Sequence, residues 1–463
     1  MSSSIQLEHD VIRVLLYRRN GNELLLERNA KGFALPNVRI PQYTRVAQQM
    51  NEAIWNDWKL RSCCLFQVGD RNTSAYALEL CGAVSTRPAN MNWLPVDSLA
   101  EKDFQEARDS QTIDAARKHF DQYREDQAVK PFGKLGWLQD VTGWVEAKTA
   151  PLGLHLNGQF QQFNASPTFS LIRFETNGPA IWFKAVGKPN LREYPITIAL
   201  TKHFPAFVPC VIAMRDDWNA WLSIEAEGSH PDENSAMAVW TTVATALAEM
   251  QVASFGQTLH LVDAGCRDAR VGTLLEQIEP FLEAMAELME RQTQESPRAL
   301  SRSELLTLRT QLQDILSETN SQIPNAIGHL DFNFGNIVAS DDRCVFLDWA
   351  EACAGHPFLT FQYLLQHLRR YRQQDSSWVS AVTSAYLDRW RSLVSAQEIT
   401  EALKISPLLA VIAYATCGDV WCEGEHRSRP EVARYFRSLT RRMKREMDLL
   451  TAQETPGVLP CLN

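Results

Sequence analysis

The segment Ile327 to Trp349, IGHLDFNFGNIVASDDRCVFLDW, holds the side chains of this chain best suited to chemistry. His329, Asp331 and Asn336 fall in the order H-x-D-x-x-x-x-N, and an apolar run, Cys344 to Leu347, then delivers Asp348. Two carboxylates and an amide on adjoining turns suit phosphoryl transfer. That reaction asks for positioning, for neutralisation of phosphate charge by Mg²⁺, and for a group that orients the acceptor hydroxyl. Mg²⁺ prefers oxygen ligands, and Asn336 and Asp348 supply them. Asp331 is then the group that accepts a hydrogen bond from the acceptor and takes its proton late in the reaction. The competing account is a coincidence of polar residues on a hairpin. By average composition the pattern arises by chance in a chain of this length roughly a few per cent of the time. A carboxylate at the end of an apolar strand also needs a reason, because burying one without a partner is costly.

Phosphates call for a cation as well. Lys184 lies in the apolar run Ile181 to Val186, where it points to one face while Phe183 and Ala185 point to the other. Glu193 opens the next helix, from which a carboxylate can reach back to the lysine. The same two residues also fit a snorkelling strand lysine and a glutamate that only favours a helix start.

The elements that must position these groups read as follows. Val11–Tyr17 and Glu23–Glu27 are strand-like and flank Asn20-Gly21, a hairpin signal. Ala47–Trp58 has helical period, with Met50, Ile54, Trp55 and Trp58 expected on one buried stripe. Leu65–Val68 and Ala75–Val84 are two more strands, and a charged helical stretch follows to about Glu125. The polar run Glu125 to Pro131 marks a boundary, and Leu135 to Val145 reads as a connecting amphipathic helix. Strands are expected at Gly158–Phe163, Thr168–Phe174, Ile181–Val186, Val208–Met214 and Ala220–Ile224, with a helix at Leu191–His203. From Asn234 the pattern is mostly helical, ending in an amphipathic helix with Val432, Phe436, Leu439, Met443 and Met447 on its apolar stripe.

The chain has 463 residues, more than one core accommodates, and 45% of them are hydrophobic. Its formal net charge of -9 disfavours a nucleic-acid partner, though not a nucleotide. Ten cysteines lack metal-ligand spacing, so free thiols in a reducing cytoplasm are expected. No apolar signal core opens the chain, and the apolar run near Pro407 to Ala415 is too short for a bilayer span. No membrane partner is therefore expected.

The motif resembles the aminoglycoside phosphotransferase and choline kinase-like family, distant relatives of protein kinases. GHLDFNFGNIV resembles its H-G-D-x-x-x-x-N brace, with Leu330 in place of Gly; FLDWAEACAGHPF resembles its I-D-W…G-D-P segment, with His356 in place of Asp. WLSIEAEG, Trp221 to Gly228, resembles the hinge, and Asn234 to Gln251 the helix after it, which often ends in Leu-His. The resemblance spans about Lys134 to Asp448, roughly two thirds of the chain. It implies an α+β, two-lobed protein-kinase-like fold, with a β-rich lobe at 151–228 and a helical lobe at 229–463 after a linker helix at 127–150. It implies ATP, or GTP, with Mg²⁺, and a small hydroxylated acceptor. Asp331 and His329 are then catalytic, Asn336 and Asp348 hold the metal, and Lys184, Glu193, Ile224, Glu225, Ala226 and Glu227 bind the nucleotide. No G-x-G-x-x-G is present, and Leu152 to Ser166 is the expected phosphate cover. Asp419, Glu423 and Glu425 near Trp421 form an acidic cluster, which is more often plain surface than an acceptor pocket.

Residues 1–126 resemble a Nudix hydrolase fold that has lost its chemistry, through LLLERNAKGFALPNVRI and NWLPVDSLA. The helix that needs several metal-binding carboxylates offers only Glu52 and Asp57 in QQMNEAIWNDW, so hydrolysis is not expected. Two functions follow: an active small-molecule kinase, or a nucleotide-binding regulatory protein or scaffold with a vestigial kinase centre. The complete set His329, Asp331, Asn336 and Asp348 favours the first.

Overall fold

The computed structural model describes residues 8–18, 21–69, 75–82, 88–125, 131–319, 323–371 and 375–454. Asn20 of the expected hairpin turn and residues 126–130 of the expected boundary lie outside these. The chain forms two compact units, Met1–Leu191 with Cys210–Glu225, and Arg192–Pro209 with Ala226–Asn463.

The first unit begins with strands β1 (His9–Arg18), β2 (Glu23–Asn29), β3 (Gly32–Ala34) and β4 (Asn37–Pro41), helix α1 (Val46–Trp58), strands β5 (Ser62–Val68), β6 (Ala75–Leu80) and β7 (Met91–Pro95), and helix α2 (Ala107–Glu125). The described strands make a seven-stranded sheet in the order β3-β2-β1-β6-β5, with β4 also on β1 and β7 on β2. β1 and β6 are parallel, which demands a crossover, and α1 lies within it. Val14 to Tyr17 of β1 are buried without alternation, as befits a strand covered on both faces. Val14 and Leu16 pack with Met50, Ile54 and Trp58 of α1. Leu15 and Tyr17 pack on the other face with Ile113 and Ala116 of α2.

Trp55 departs from the expected stripe. It is 45% exposed, with Lys59 and Arg61 over its ring, while Ala47, Met50, Ile54 and Trp58 are buried. Consecutive helical residues point about 100° apart, so Ile54 and Trp55 cannot both face the core.

The expected connector is α3 (Trp137–Thr149), and it is built into the fold, with Trp137, Leu138, Val141 and Val145 buried. Strands β8 (Leu156–Ala165), β9 (Ser170–Thr176), β10 (Ile181–Ala185), β11 (Val211–Arg215) and β12 (Ala220–Ile224) follow as an antiparallel sheet in the order β11-β12-β10-β9-β8. Leu15 and Tyr17 of the first sheet share one apolar cluster with Ile172, Phe183 and Leu222 of the second. Phe132 joins them, its ring 5.2 Å from Trp137 and 5.9 Å from Phe183. The sheet that resembles a kinase small lobe is thus continuous with the front domain through a common core.

The second unit contains α4 (Glu193–His203), α5 (Met237–Ala253), α6 (Thr258–Asp263), β13 (Arg267–Ala269), α7 (Val271–Glu290), α8 (Arg302–Glu318), β14 (Ala326–His329), β15 (Ile337–Ala339), β16 (Cys344–Phe346), β17 (Ala352–Gly355), α9 (Phe358–Tyr371), α10 (Ser376–Asp388), α11 (Ala396–Thr416), α12 (Gly424–Arg427) and α13 (Pro430–Glu454). Capping boxes start two of the helices, Ser301 with Glu304 on α8 and Ser395 with Glu398 on α11. The last helix buries Phe436, Leu439, Met443 and Met447 as its spacing predicts. The apolar run at Pro407 to Ala415 is the second half of α11, whose 21 residues are long and apolar enough to cross a membrane. In this fold it is a core helix: Leu409, Ala410, Ile412 and Ala413 are fully buried against the helical unit. The short sheet β13-β17-β14 and the hairpin β15-β16 stand among these helices and carry the chemistry-bearing loop.

Candidate active site

Every residue of β14 is buried, and Gly328 allows that: a Cβ there would sit 2.8 Å from Cys353 Sγ and 2.9 Å from Thr360 Oγ1. His329 ends the strand, its N–H donating to Thr360 Oγ1 at 2.8 Å. The Asp331 N–H donates to His329 Nδ1 at 3.2 Å, so the ring proton sits on Nε2, which lies 3.1 Å from the Leu347 carbonyl and donates to it. Burial holds the His329 pKa below the usual histidine value, opposed by the Leu347 carbonyl and by the charges of Asp331 and Asp348. A neutral, buried imidazole with both nitrogens engaged is a strut. It ties the Asp331 loop to the residue before Asp348.

The loop alternates anchors and reactive groups. Leu330, Phe332 and Phe334 are buried, whereas Asp331 is exposed. Phe334 packs on Trp240 of α5, ring centroids 4.6 Å apart. The Asp331 carboxylate is held from both sides: Asn333 Nδ2 donates to Oδ1 at 3.0 Å and Asn336 Nδ2 to Oδ2 at 3.2 Å. Asn336 Nδ2 also donates to the Asp331 carbonyl at 2.9 Å. With its nitrogen used on Asp331, the Asn336 side chain has its oxygen left to offer a cation. The Leu347 N–H donates to the Asn336 carbonyl at 2.8 Å, which sets Asp348 beside this turn. Asp348 is exposed and has φ 58°, a left-handed conformation that Asp and Asn tolerate better than most residues.

The departures from the resembled family have structural answers. Leu330 is buried and its N–H donates to the Glu351 carbonyl at 2.9 Å, so the side chain fills core. His356 is buried, and its Nδ1 accepts the Phe358 N–H at 3.2 Å at the start of α9. A neutral imidazole thus does the capping an aspartate would do, and burial pushes its pKa down to about 4. Gln251 donates to the Pro357 carbonyl at 2.7 Å and accepts the Tyr386 hydroxyl at 2.6 Å.

Sequence reasoning missed several neighbours of Asp331. Asn333 was in plain view two residues on, and D-x-N is an Asx-turn pattern. Glu351 had no such signal: Arg267, distant in sequence, meets it at 2.7 Å and also donates to the Cys417 carbonyl at 2.6 Å. Partial burial, then its bond to Tyr414, and last the charges of Glu351 and Asp331 raise the pKa of Tyr435, which is half-buried. Trp421, beside the expected acidic cluster, is buried against Phe281, its Nε1 donating to the Thr416 carbonyl, and the Asp419 side chain lies outside the described residues.

The residues expected to bind the nucleotide divide between the units. Lys184 is on β10 in the first unit, alternating with buried Phe183 and Ala185, its Nζ 5.7 Å from the centroid of the Trp221 ring. Glu193 is buried in the first turn of α4 in the second unit. Ile224 and Glu225 end the first unit's sheet. Their N–H groups are spent on the Cys210 and Ala180 carbonyls, both at 2.9 Å. The Glu225 carboxylate is spent as well, on Arg173 at 2.6 and 2.8 Å and on Trp182 Nε1 at 3.2 Å. Bonding to Arg173 holds its pKa below the ordinary glutamate value. The amide donors of the expected hinge are therefore those of Ala226 and Glu227. Gly228 follows with φ 119°, where a Cβ would meet the Ala339 carbonyl at 2.5 Å. Most of the expected phosphate cover is strand β8; the turn itself is 166–169, where Ser166 Oγ accepts the Thr168 and Phe169 N–H groups.

A family model described as APH, phosphotransferase enzyme family, matches residues 218–394, which include the whole Asp331 loop and Asp348. Among solved structures, the chain is similar to a choline kinase from Cryptosporidium parvum Iowa II, at 11% identity and TM-score 0.48 over 68% of this chain and 97% of that one. It is similar to the choline kinase LicA from Streptococcus pneumoniae, at 15% identity and TM-score 0.40 over 68% and 99% of the two chains. It is also similar to the macrolide 2'-phosphotransferase MphH from Brachybacterium faecium, at 17% identity and TM-score 0.38 over 64% and 96%. No curated protein matches the chain.

Proposed function

We propose that this protein is a phosphotransferase that moves the γ-phosphate of ATP to a hydroxyl of a small molecule, with Mg²⁺. The observation that carries the reading is the Asp331 carboxylate, exposed yet fixed by Asn333 and Asn336, within a segment that matches a phosphotransferase family. An exposed carboxylate held by two amides can accept a hydrogen bond from an acceptor hydroxyl and orient it. Asp331 takes the proton as the oxygen–phosphorus bond forms. His329 touches no reactant in this scheme; it positions the loop, since both its ring nitrogens are engaged. The side-chain oxygen of Asn336 and the carboxylate of Asp348 are the oxygen donors that would hold Mg²⁺, an all-oxygen set that suits a hard cation. When bound, the ion supplies neutralisation of phosphate charge. Lys184 is the cation that pairs with nucleotide phosphates. The base pairs with the backbone at Ala226 and Glu227, which reads ATP or GTP alike.

A coupled assay of ATP turnover across hydroxylated metabolites tests the reading. Turnover with at least one acceptor is expected, together with a melting temperature that ATP raises only when Mg²⁺ is present. No thermal response to any nucleoside triphosphate with Mg²⁺ would sink it.

A further inference from the structure

β5 and β8 are edge strands of their respective sheets, and edge strands present unpaired N–H and C=O groups. Gln162 of β8, which is 1% exposed, answers one such pair. The Cys64 N–H on β5 donates to Gln162 Oε1 at 2.8 Å, and Gln162 Nε2 donates to the Cys64 carbonyl at 3.0 Å. A primary amide offers an acceptor beside donors, so these two bonds reproduce what a neighbouring strand would make. Asn51 of α1 donates to the same Oε1 at 3.1 Å, and Asn51 Oδ1 accepts the Ser62 hydroxyl at 2.8 Å.

Three further ties run along β8. Gln161 donates to Glu52 at 3.1 Å, Arg61 donates to the Gly158 carbonyl at 3.0 Å, and the Arg45 guanidinium lies 5.3 Å from the centroid of the Phe163 ring. Glu52 is one of the two carboxylates on the helix that resembles the Nudix metal-binding helix. Here it serves as a docking group for β8. The turn that follows β8 is seated in turn on the backbone after Lys184: a Cβ on Gly187 would sit 2.5 Å from the Thr168 carbonyl.

We propose that the front domain is a clamp on β8 that fixes the β8–β9 hairpin over the nucleotide phosphates, and that Gln162 is the positioning residue of the clamp. The turn at 166–169, SPTF, carries no glycine-rich sequence, so its shape comes from Ser166 and from the strand that enters it. Only the link to phosphates rests on the function proposed above; the clamp itself does not.

The test uses the full chain with Gln162→Leu, which keeps a branched side chain of comparable bulk, one atom shorter, and removes both bonds to Cys64. Leu312→Ala, in the core of the second unit, serves as a control of lowered stability. Hydrogen exchange over residues 156–176 is measured without nucleotide, and affinity for Mg·ATP by calorimetry. Gln162→Leu is expected to speed exchange in that segment and to weaken Mg·ATP binding roughly five- to tenfold, the scale of an unsatisfied buried polar group. Leu312→Ala is expected to lower the melting temperature and do neither. Unchanged exchange in Gln162→Leu overturns the clamp. Faster exchange with unchanged ATP affinity, or an equal affinity loss in Leu312→Ala, overturns its link to the nucleotide. If the unaltered protein binds no Mg·ATP, the proposed function fails, and exchange still decides the clamp. Should Gln162→Leu not fold, Asn51→Ala, which removes one bond to Gln162, is read by the same two measurements.

Discussion

Asp331 and Asp348 are both exposed carboxylates, and the proposed function gives them different work. Asp331 is gripped by two amides that orient it, whereas Asp348 has a left-handed backbone conformation and follows Leu347, whose N–H donates to the Asn336 carbonyl. Asp331→Asn keeps an acceptor oxygen and removes most of the basicity, so turnover should fall ~10²–10⁴-fold with Mg·ATP affinity unchanged. Asp348→Asn should lose nucleotide affinity together with turnover. Calorimetry beside a turnover assay separates the two, and equal loss of nucleotide in both variants would refute the division of roles. His356 makes a second prediction at this scale. Its folded pKa is depressed to about 4 by burial, so the unfolded chain takes up the proton first as pH falls. Its contribution is whole above about pH 6.5 and is lost progressively down to about pH 4, on the order of 3 kcal/mol in all. His329 is shifted in the same direction by the same cause. His356→Asn, which retains an acceptor for the Phe358 N–H, should therefore flatten part of the acid limb in denaturant titrations run from pH 7 to 4. An acid limb as steep as that of the unaltered protein would refute the assignment.

At the scale of elements, the loop after β14 is held by packing as much as by polar contacts. Leu330→Gly would restore the residue that the resembled family carries at this position. Here it should destabilise the protein by about 3–5 kcal/mol, because it empties a buried site and frees the backbone. Chemical denaturation measures this; a cost below about 1 kcal/mol would mean that the side chain does not hold the loop. Gly228 is constrained from the other side. Gly228→Ala combines an unfavourable φ with a Cβ 2.5 Å from the Ala339 carbonyl, at the point where Ser229 pairs with Ala339. A lowered melting temperature together with weaker nucleotide binding is expected, and an unchanged pair would show that the segment adjusts without cost.

For the whole molecule, the front domain shares its core with the sheet that bears Lys184. Removing residues 1–126 would strip Leu15, Tyr17 and Ile113 from around Phe132 and Ile172, and would leave the β8 edge bare. The remaining chain is expected to aggregate or to elute as a broad distribution in size-exclusion chromatography, since exposed apolar faces and open edges both drive association. A monomeric truncated protein that unfolds cooperatively would show that the shared core is dispensable.

What depends on near neighbours is legible in the residues alone. The H-x-D-x-x-x-x-N spacing, the Lys184 alternation on β10 and the apolar stripe of α13 are written in local periodicity, and the folded chain displays each of them. Trp55 is the exception on α1: it lies one residue off the buried Ile54 and turns to solvent. Other features were decided only by tertiary structure. Gln162 and Cys64 lie 98 residues apart, and the bonds between them exist only because two sheet edges meet. Arg267 reaches Glu351 across 84 residues, the expected hinge lost two amides and a carboxylate to strand pairing and to Arg173, and His356 took over a cap. A side chain's type sets what it can bond. Which partner it finds depends on which distant backbone groups the fold leaves unsatisfied beside it, and no local pattern records that.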